Sequence, residues 1–249
     1  MSKPKLAVFD FACCEGCQLQ IINLEEEILD LISLLHPVEW REGMSEQSDE
    51  YDIALIEGSI VRPEDEERLR RIRERAKVLV ALGACAVNGG VNTLRNTMNL
   101  EEAQKIVYGL DATLPHLRTA PVKAVHEVVQ VDYKIYGCPI DRREFAYVVR
   151  CLALGKQPEI PSFPVCVECK LKENLCRYEK NEICLGPVTR AGCGARCPSA
   201  ETWCFGCRGM IDEPNINAAK DVMNQYGKTP QDLKDRMSLF ESKQRDADE

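Results

Sequence analysis

Eight of the fourteen cysteines crowd between Cys166 and Cys207, in the spacing C-x2-C-x6-C-x7-C-x8-C-x3-C-P-x5-C-x2-C. So few apolar residues separate them that this stretch cannot build an ordinary packed core. Bound metal has to supply much of its folding energy. Persistent disulfides would explain the count only in an oxidising compartment, and buried free thiols would explain a few scattered cysteines rather than a run of eight. Metal ligation is therefore the expected class, with zinc and iron–sulfur as the alternatives. Two four-cysteine zinc sites fit the outer C-x2-C pairs. The fragment Cys193-x3-Cys197-Pro198 resembles the tail of a bacterial ferredoxin signature and favours iron.

The rest of the composition narrows the setting. A net charge of −8 argues against a nucleic-acid partner, because phosphate binding needs a basic face. No window reaches the ~18 consecutive apolar residues of a membrane span. The start, MSKPKLAVFDF, has too short an apolar core for a signal peptide and reads as the first strand of a cytoplasmic protein.

Residues 1–154 alternate between strand and helix patterns. KLAVFDFA (5–12), YDIALIEG (51–58), KVLVALGA (77–84) and VDYKIYG (131–137) are rich in β-branched and aromatic residues and read as strands. QLQIINLEEEILDLISLL (18–35) has helical spacing, with Ile21, Leu24, Ile28, Leu31, Ile32 and Leu35 on one stripe. Leu19, Ile22, Leu29 and Leu34 widen that stripe nearly all round, predicting burial against more than one neighbour. PEDEERLRRIRERA (63–76) opens on proline and acids and closes on arginines, the order the helix dipole favours, so its charges read as a solvated face. DRREFAYVVRCLAL (141–154) is a further helix. The alternation implies an α/β fold, a doubly wound, mostly parallel sheet.

Cys14 and Cys17 follow the first strand, Cys85 follows VALGA, and Cys138 follows YKIYG. All four fall past carboxyl ends of strands, the edge where open α/β sheets collect ligands. Gly16, Gly83 and Gly137 beside them let backbone approach a bulky group. GKQPEIPSFP (155–164) reads as a linker, placing the boundaries at 1–154, 155–165 and 166–249. Thr229-Pro230-Gln231-Asp232 reads as a capping box opening a helix through Phe240, and SKQRDADE as a tail. His36, His116 and His126 are isolated and are assigned no ligand role.

Together these motifs resemble the small subunit of [NiFe]-hydrogenases. The resemblance rests on Cys14-Glu15-Gly16-Cys17, Gly83-Ala84-Cys85-Ala86, Gly137-Cys138-Pro139, Cys184-Leu185-Gly186-Pro187-Val188-Thr189 and Cys204-Phe205-Gly206-Cys207, in order along residues 5 to 210. The stretches IEGS, GACAVNGG, YGCP and CLGPVTRAGC resemble the cytoplasmic sulfhydrogenase-type and F420-non-reducing branch. The resemblance implies a flavodoxin-like sheet domain followed by a small loop-rich iron–sulfur domain. It further implies three [4Fe–4S] clusters: a proximal one on Cys14, Cys17, Cys85 and Cys138, a medial one on Cys193, Cys197, Cys204 and Cys207, and a distal one on Cys166, Cys169, Cys176 and Cys184. Where the membrane-bound uptake branch has a histidine ligand and a three-iron medial cluster, this chain has Cys166 and the extra thiolate Cys197.

Only Cys13 and Cys151 are then left, too few to hold nickel and iron, and no GxGxxG fingerprint marks a flavin or nicotinamide site. The implied role is electron relay between a hydrogenase large subunit and a diaphorase-type (flavin, NAD(P)) or other iron–sulfur redox subunit. A quinone-linked relative of the respiratory complex I subunit is the runner-up. It would ligate through adjacent cysteines such as Cys13–Cys14, but it lacks the eight-cysteine region. A zinc-stabilised interaction protein is third.

Overall fold

The computed structural model describes residues 3–109 and 118–240. Five strands, β1 (Lys5–Asp10), β2 (His36–Trp40), β3 (Ile53–Glu57), β4 (Val78–Leu82) and β5 (Tyr133–Ile135), form one sheet in the order β2-β1-β3-β4-β5. Every pairing is parallel. This is the flavodoxin-like order, in which the chain winds outward in both directions from β1.

Side-chain alternation explains why the central strands β3 and β4 are almost entirely apolar. In β3, Ile53 and Leu55 enter one core while Ala54 and Ile56 enter the other. Two covered faces leave little room for polar positions on a central strand. The first face is closed by α1 (Gly16–Ile22), α2 (Glu27–Leu34) and α6 (Arg142–Ala153), through Ile21, Leu24, Leu31, Leu35, Phe145, Val148 and Val149. The second is closed by α3 (Pro63–Arg75) and α4 (Gly83–Asn88), through Leu69, Ile72, Ala86 and Val87. Pro63 is at the first turn of α3, as its sequence predicts. Asp141 caps α6 by accepting from the N–H groups of Arg143 and Glu144.

The expected single helix over 18–35 is two helices. Glu25 takes a left-handed backbone (φ 54°) between α1 and α2, which resets the apolar phase so that Ile21 and Leu31 both face the sheet. The predicted burial on several sides holds only for that inward set. Leu19 (53 % exposed), Ile22 (45 %), Leu29 (66 %) and Ile32 (43 %) point away from the rest of the chain. β2 follows at once and has no counterpart among the expected strands. Its Pro37 is tolerated because β2 is an edge strand, pairing only with β1. α5 (Leu100–Tyr108) is a further unanticipated helix, capped by Asn99.

Beyond α6, residues 155–164 form neither helix nor strand. The remainder is short helices and loops: α7 (Val165–Leu171), α8 (Arg196–Ser199), α9 (Ile216–Gln225) and α10 (Pro230–Met237). Its buried core consists of Val165, Tyr178, Cys184, Leu185, Ala195, Cys204 and Met223, where cysteines occupy places that aliphatic residues would fill elsewhere. The Thr229 capping box forms, with Asp232 N–H donating to Thr229 Oγ1 at 3.2 Å and Thr229 N–H to the Asp232 carboxylate at 2.7 Å. α10 stops at Met237 rather than reaching Phe240, which is buried. His116 and the 242–249 tail lie outside the described residues.

Candidate metal centres

β1, β4 and β5 deliver Cys14, Cys17, Cys85 and Cys138 to one edge of the sheet, Cys17 on α1 and Cys85 on α4. Glycines make the approach possible. Gly83 (φ +79°) has no room for a Cβ, which would overlap the Cys17 sulfur and lie 3.4 Å from Gly137 O. A Cβ at Gly16 would be 3.3 Å from Cys14 Sγ and 3.8 Å from Pro139 Cβ. The Ala84 N–H donates to Gly137 O at 2.7 Å, tying the β4 and β5 loops together.

Electrostatics report the same gathering. Burial pushes the Cys85 thiol up to about 12, and the neighbouring charges of Cys138 and Cys14 push in the same direction. Cys17 is raised by burial, then by Glu57, with Cys85 contributing. Cys138 is raised by burial and then by Cys14. The raised thiols of Cys17, Cys85 and Cys138 suit a polycationic centre, whose binding displaces their protons.

Cys13 stands apart. Its thiol donates to Phe11 O at 3.4 Å, and its sulfur lies with carboxylate oxygens of Glu15 and Glu57, all within 4.8 Å of one another. Glu57 is a site residue that the sequence alone did not single out. It ends β3, is 2 % exposed, and accepts from the N–H groups of Cys17 (3.0 Å) and Gln18 (3.2 Å), so it fixes the start of α1. The only available signal was an acid at the last position of an otherwise apolar strand.

In the second region, Cys166 and Cys169 lie one turn apart on α7, and Cys176 and Cys184 follow. Burial raises the Cys166 thiol to about 12, followed by the charges of Cys184, Cys169 and Cys176. A Cβ at Gly186 would lie 3.2 Å from Cys166 Sγ and 3.5 Å from Cys184 Sγ. Cys193, Cys197 and Cys207 form another group. Burial lifts Cys207 to about 11 against a hydrogen bond from the Cys138 backbone N–H, and Cys193, Cys197 and Cys138 are its charged neighbours. Cys204 borders both groups: Cys184 and Cys207 are its charged neighbours, and its N–H donates to Cys184 Sγ at 3.2 Å. Glu168 of α7 bridges the groups by accepting from Gly192 N–H (2.9 Å) and Ala195 N–H (3.1 Å). His36 and His126 are exposed, and Cys151 lies on α6.

The donor sets are all thiol and are cradled by glycine, which fits iron–sulfur clusters as well as zinc. Among the described residues no helix is long and apolar enough to cross a membrane.

Comparison with known proteins identifies the family. Residues 14–152 match the family described as NADH ubiquinone oxidoreductase, 20 Kd subunit. The chain is 39 % identical over 223 residues to sulfhydrogenase 2 subunit delta of Pyrococcus furiosus, covering 89 % of this chain and 92 % of that protein. It is 34 % identical over 271 residues to a subunit of the F420-non-reducing hydrogenase vhu of Methanococcus voltae, covering 96 % of this chain and 94 % of that protein. Among solved structures, a chain of an NAD+-reducing [NiFe]-hydrogenase in the H2-reduced state superposes with a TM-score of 0.59 at 32 % identity, covering 64 % of this chain and 96 % of that one. With its fold, its strand-end cysteines and these matches in agreement, the chain belongs to the NADH ubiquinone oxidoreductase 20 kDa subunit family, among the hydrogenase small subunits of the sulfhydrogenase delta and F420-non-reducing type.

Proposed function

We propose that this chain is the electron-relay subunit of a [NiFe]-hydrogenase, carrying three [4Fe–4S] clusters between a hydrogen-activating large subunit and a second redox subunit. Residues 1–154 hold the proximal set through Cys14, Cys17, Cys85 and Cys138. Residues 166–249, joined by 155–165, hold the medial set (Cys193, Cys197, Cys204, Cys207) and the distal set (Cys166, Cys169, Cys176, Cys184). Thiolate-bound clusters supply one-electron acceptors at the negative potentials that a hydrogen couple needs.

One observation supports this reading: residues of the three proposed thiol sets neighbour one another in series. The Cys138 backbone N–H reaches the Cys207 sulfur, and the Cys204 N–H reaches the Cys184 sulfur. A zinc protein has no use for such continuity, whereas a relay depends on it. The quinone-linked reading is disfavoured by the eight cysteines of residues 166–207, which those relatives lack.

The exposed Leu19 and Ile22, on the helix that carries Cys17, and Leu29 and Ile32 on the next helix support a large-subunit interface there, because clustered exposed apolar side chains mark a docking face. The acceptor is a diaphorase-type subunit with flavin and NAD(P), or another iron–sulfur subunit. The test is co-expression with a hydrogenase large subunit. The purified complex should reduce viologen dye under hydrogen, while the chain alone should aggregate and give no hydrogen-dependent reduction. Hydrogen oxidation by the isolated chain would overturn the assignment of catalysis to another subunit.

A further inference from the structure

Arg208 is 1 % exposed, and it directly follows Cys207. A buried arginine has to be offset by its contacts, and here they are specific. Nε donates to Ala191 O at 2.8 Å, Nη1 to Tyr136 O at 2.8 Å, and Nη2 to Glu144 Oε2 at 2.6 Å. Ala191 is two residues before Cys193, and Tyr136 is two residues before Cys138. A Cβ at Gly192 would overlap the guanidinium, so the charge is packed directly against the residue preceding Cys193. The Tyr136 ring closes the site, lying 5.7 Å from Arg208 Cζ and 4.7 Å from Arg190 Cζ. One fixed cation therefore adjoins the backbone of a Cys138 loop, a Cys193 loop and Cys207.

We propose that Arg208 is a positioning and potential-setting residue for electron transfer between the centres held through Cys138 and Cys207, with Glu144 as its opposing charge. This rests on the relay reading above. In the step concerned, one electron leaves the first centre and reduces the second, and no bond or proton is exchanged. A permanent positive charge out of reach of solvent favours the reduced, more negative state, and little screening by salt weakens it. Glu144, 8 % exposed and at the edge of the open cleft that Cys193 also lines, works in the opposite direction, while the guanidinium itself is bonded to backbone carbonyls of the Cys138 and Cys193 loops.

The experiment is an EPR-monitored redox titration of the co-expressed complex, with iron content measured in parallel. Arg208→Gln should lower the reduced-to-oxidised ratio of the centre held through Cys207 at least tenfold at fixed potential, about 59 mV for a one-electron couple. Arg208→Lys, which keeps the charge, should stay near wild type, and Glu144→Gln should shift the ratio in the opposite direction. Should Arg208→Gln lose iron, Glu144→Gln decides. A rise in the ratio supports the proposal, and full iron with unchanged potentials overturns it. Full iron and unchanged potentials in Arg208→Gln would likewise reduce Arg208 to a staple. Wild-type complex without iron would overturn the relay reading itself, a result distinct from either.

Discussion

Replacing Cys17 by serine should remove one whole cluster, with iron falling by about four atoms per chain, while replacing Cys13 should leave iron and spectrum intact. The two residues are four positions apart, yet their surroundings differ in kind. Cys17 is buried, its sulfur packs against Gly83, and its own N–H is fixed by Glu57. It shares electrostatic contact with Cys85, which in turn meets Cys14 and Cys138. A hydroxyl there cannot serve as a soft thiolate ligand, so the other three are left one donor short. Cys13 instead donates to Phe11 O and has carboxylates around it, which makes its burial a matter of packing. EPR of the reduced complex and hydrogen-dependent dye reduction read the outcome. Loss of signal in Cys13→Ser with retention in Cys17→Ser would mean that adjacent cysteines ligate, as in the quinone-linked reading.

Gly83→Ala should be nearly as damaging, although it touches no ligand atom chemically. Gly83 opens α4 with φ +79°, a conformation that costs an alanine about 1–2 kcal/mol. The larger effect is steric. The new methyl would occupy the space of the Cys17 sulfur, and Gly83 cannot retreat because Ala84 N–H is bonded to Gly137 O. The expected result is loss of about four iron atoms and a fall in Tm of about 2–4 °C per kcal/mol of destabilisation. Gly155→Ala is the control. It has a similar positive φ (+65°) but nothing within 4 Å of the new Cβ, so it should lose stability modestly and keep its iron. Full iron and an unaltered proximal spectrum in Gly83→Ala would refute the close packing at the strand ends.

Much of this arrangement is legible in the sequence because parallel sheets impose strong rules. A strand covered on both faces must be mostly apolar, so VLVAL and IALIE declare themselves. Once the strands are placed, Cys17, Cys85 and Cys138 have to emerge on the same edge. Features that depend on partners distant in the chain were not legible. β2 is an edge strand with Pro37 and a single β-branched residue, Val38, so nothing local distinguishes it from the end of α2. The break at Glu25 lies in an acidic run that any helix accepts, and only packing on the sheet requires it. α5 was findable, since Asn99 accepts from Glu101 and Glu102 N–H in the ordinary capping pattern. Glu57 and Arg208 read as ordinary charges until the fold brings Cys17 and Glu144 to them.

Metal analysis of the anaerobically purified complex tests the central claim most directly. Iron and acid-labile sulfide attributable to this chain should each approach about twelve, three four-iron clusters on four thiolates each, with negligible zinc and a brown colour. About eight of each would remove one of the three sets. Stoichiometric zinc in a colourless protein would contradict the relay altogether.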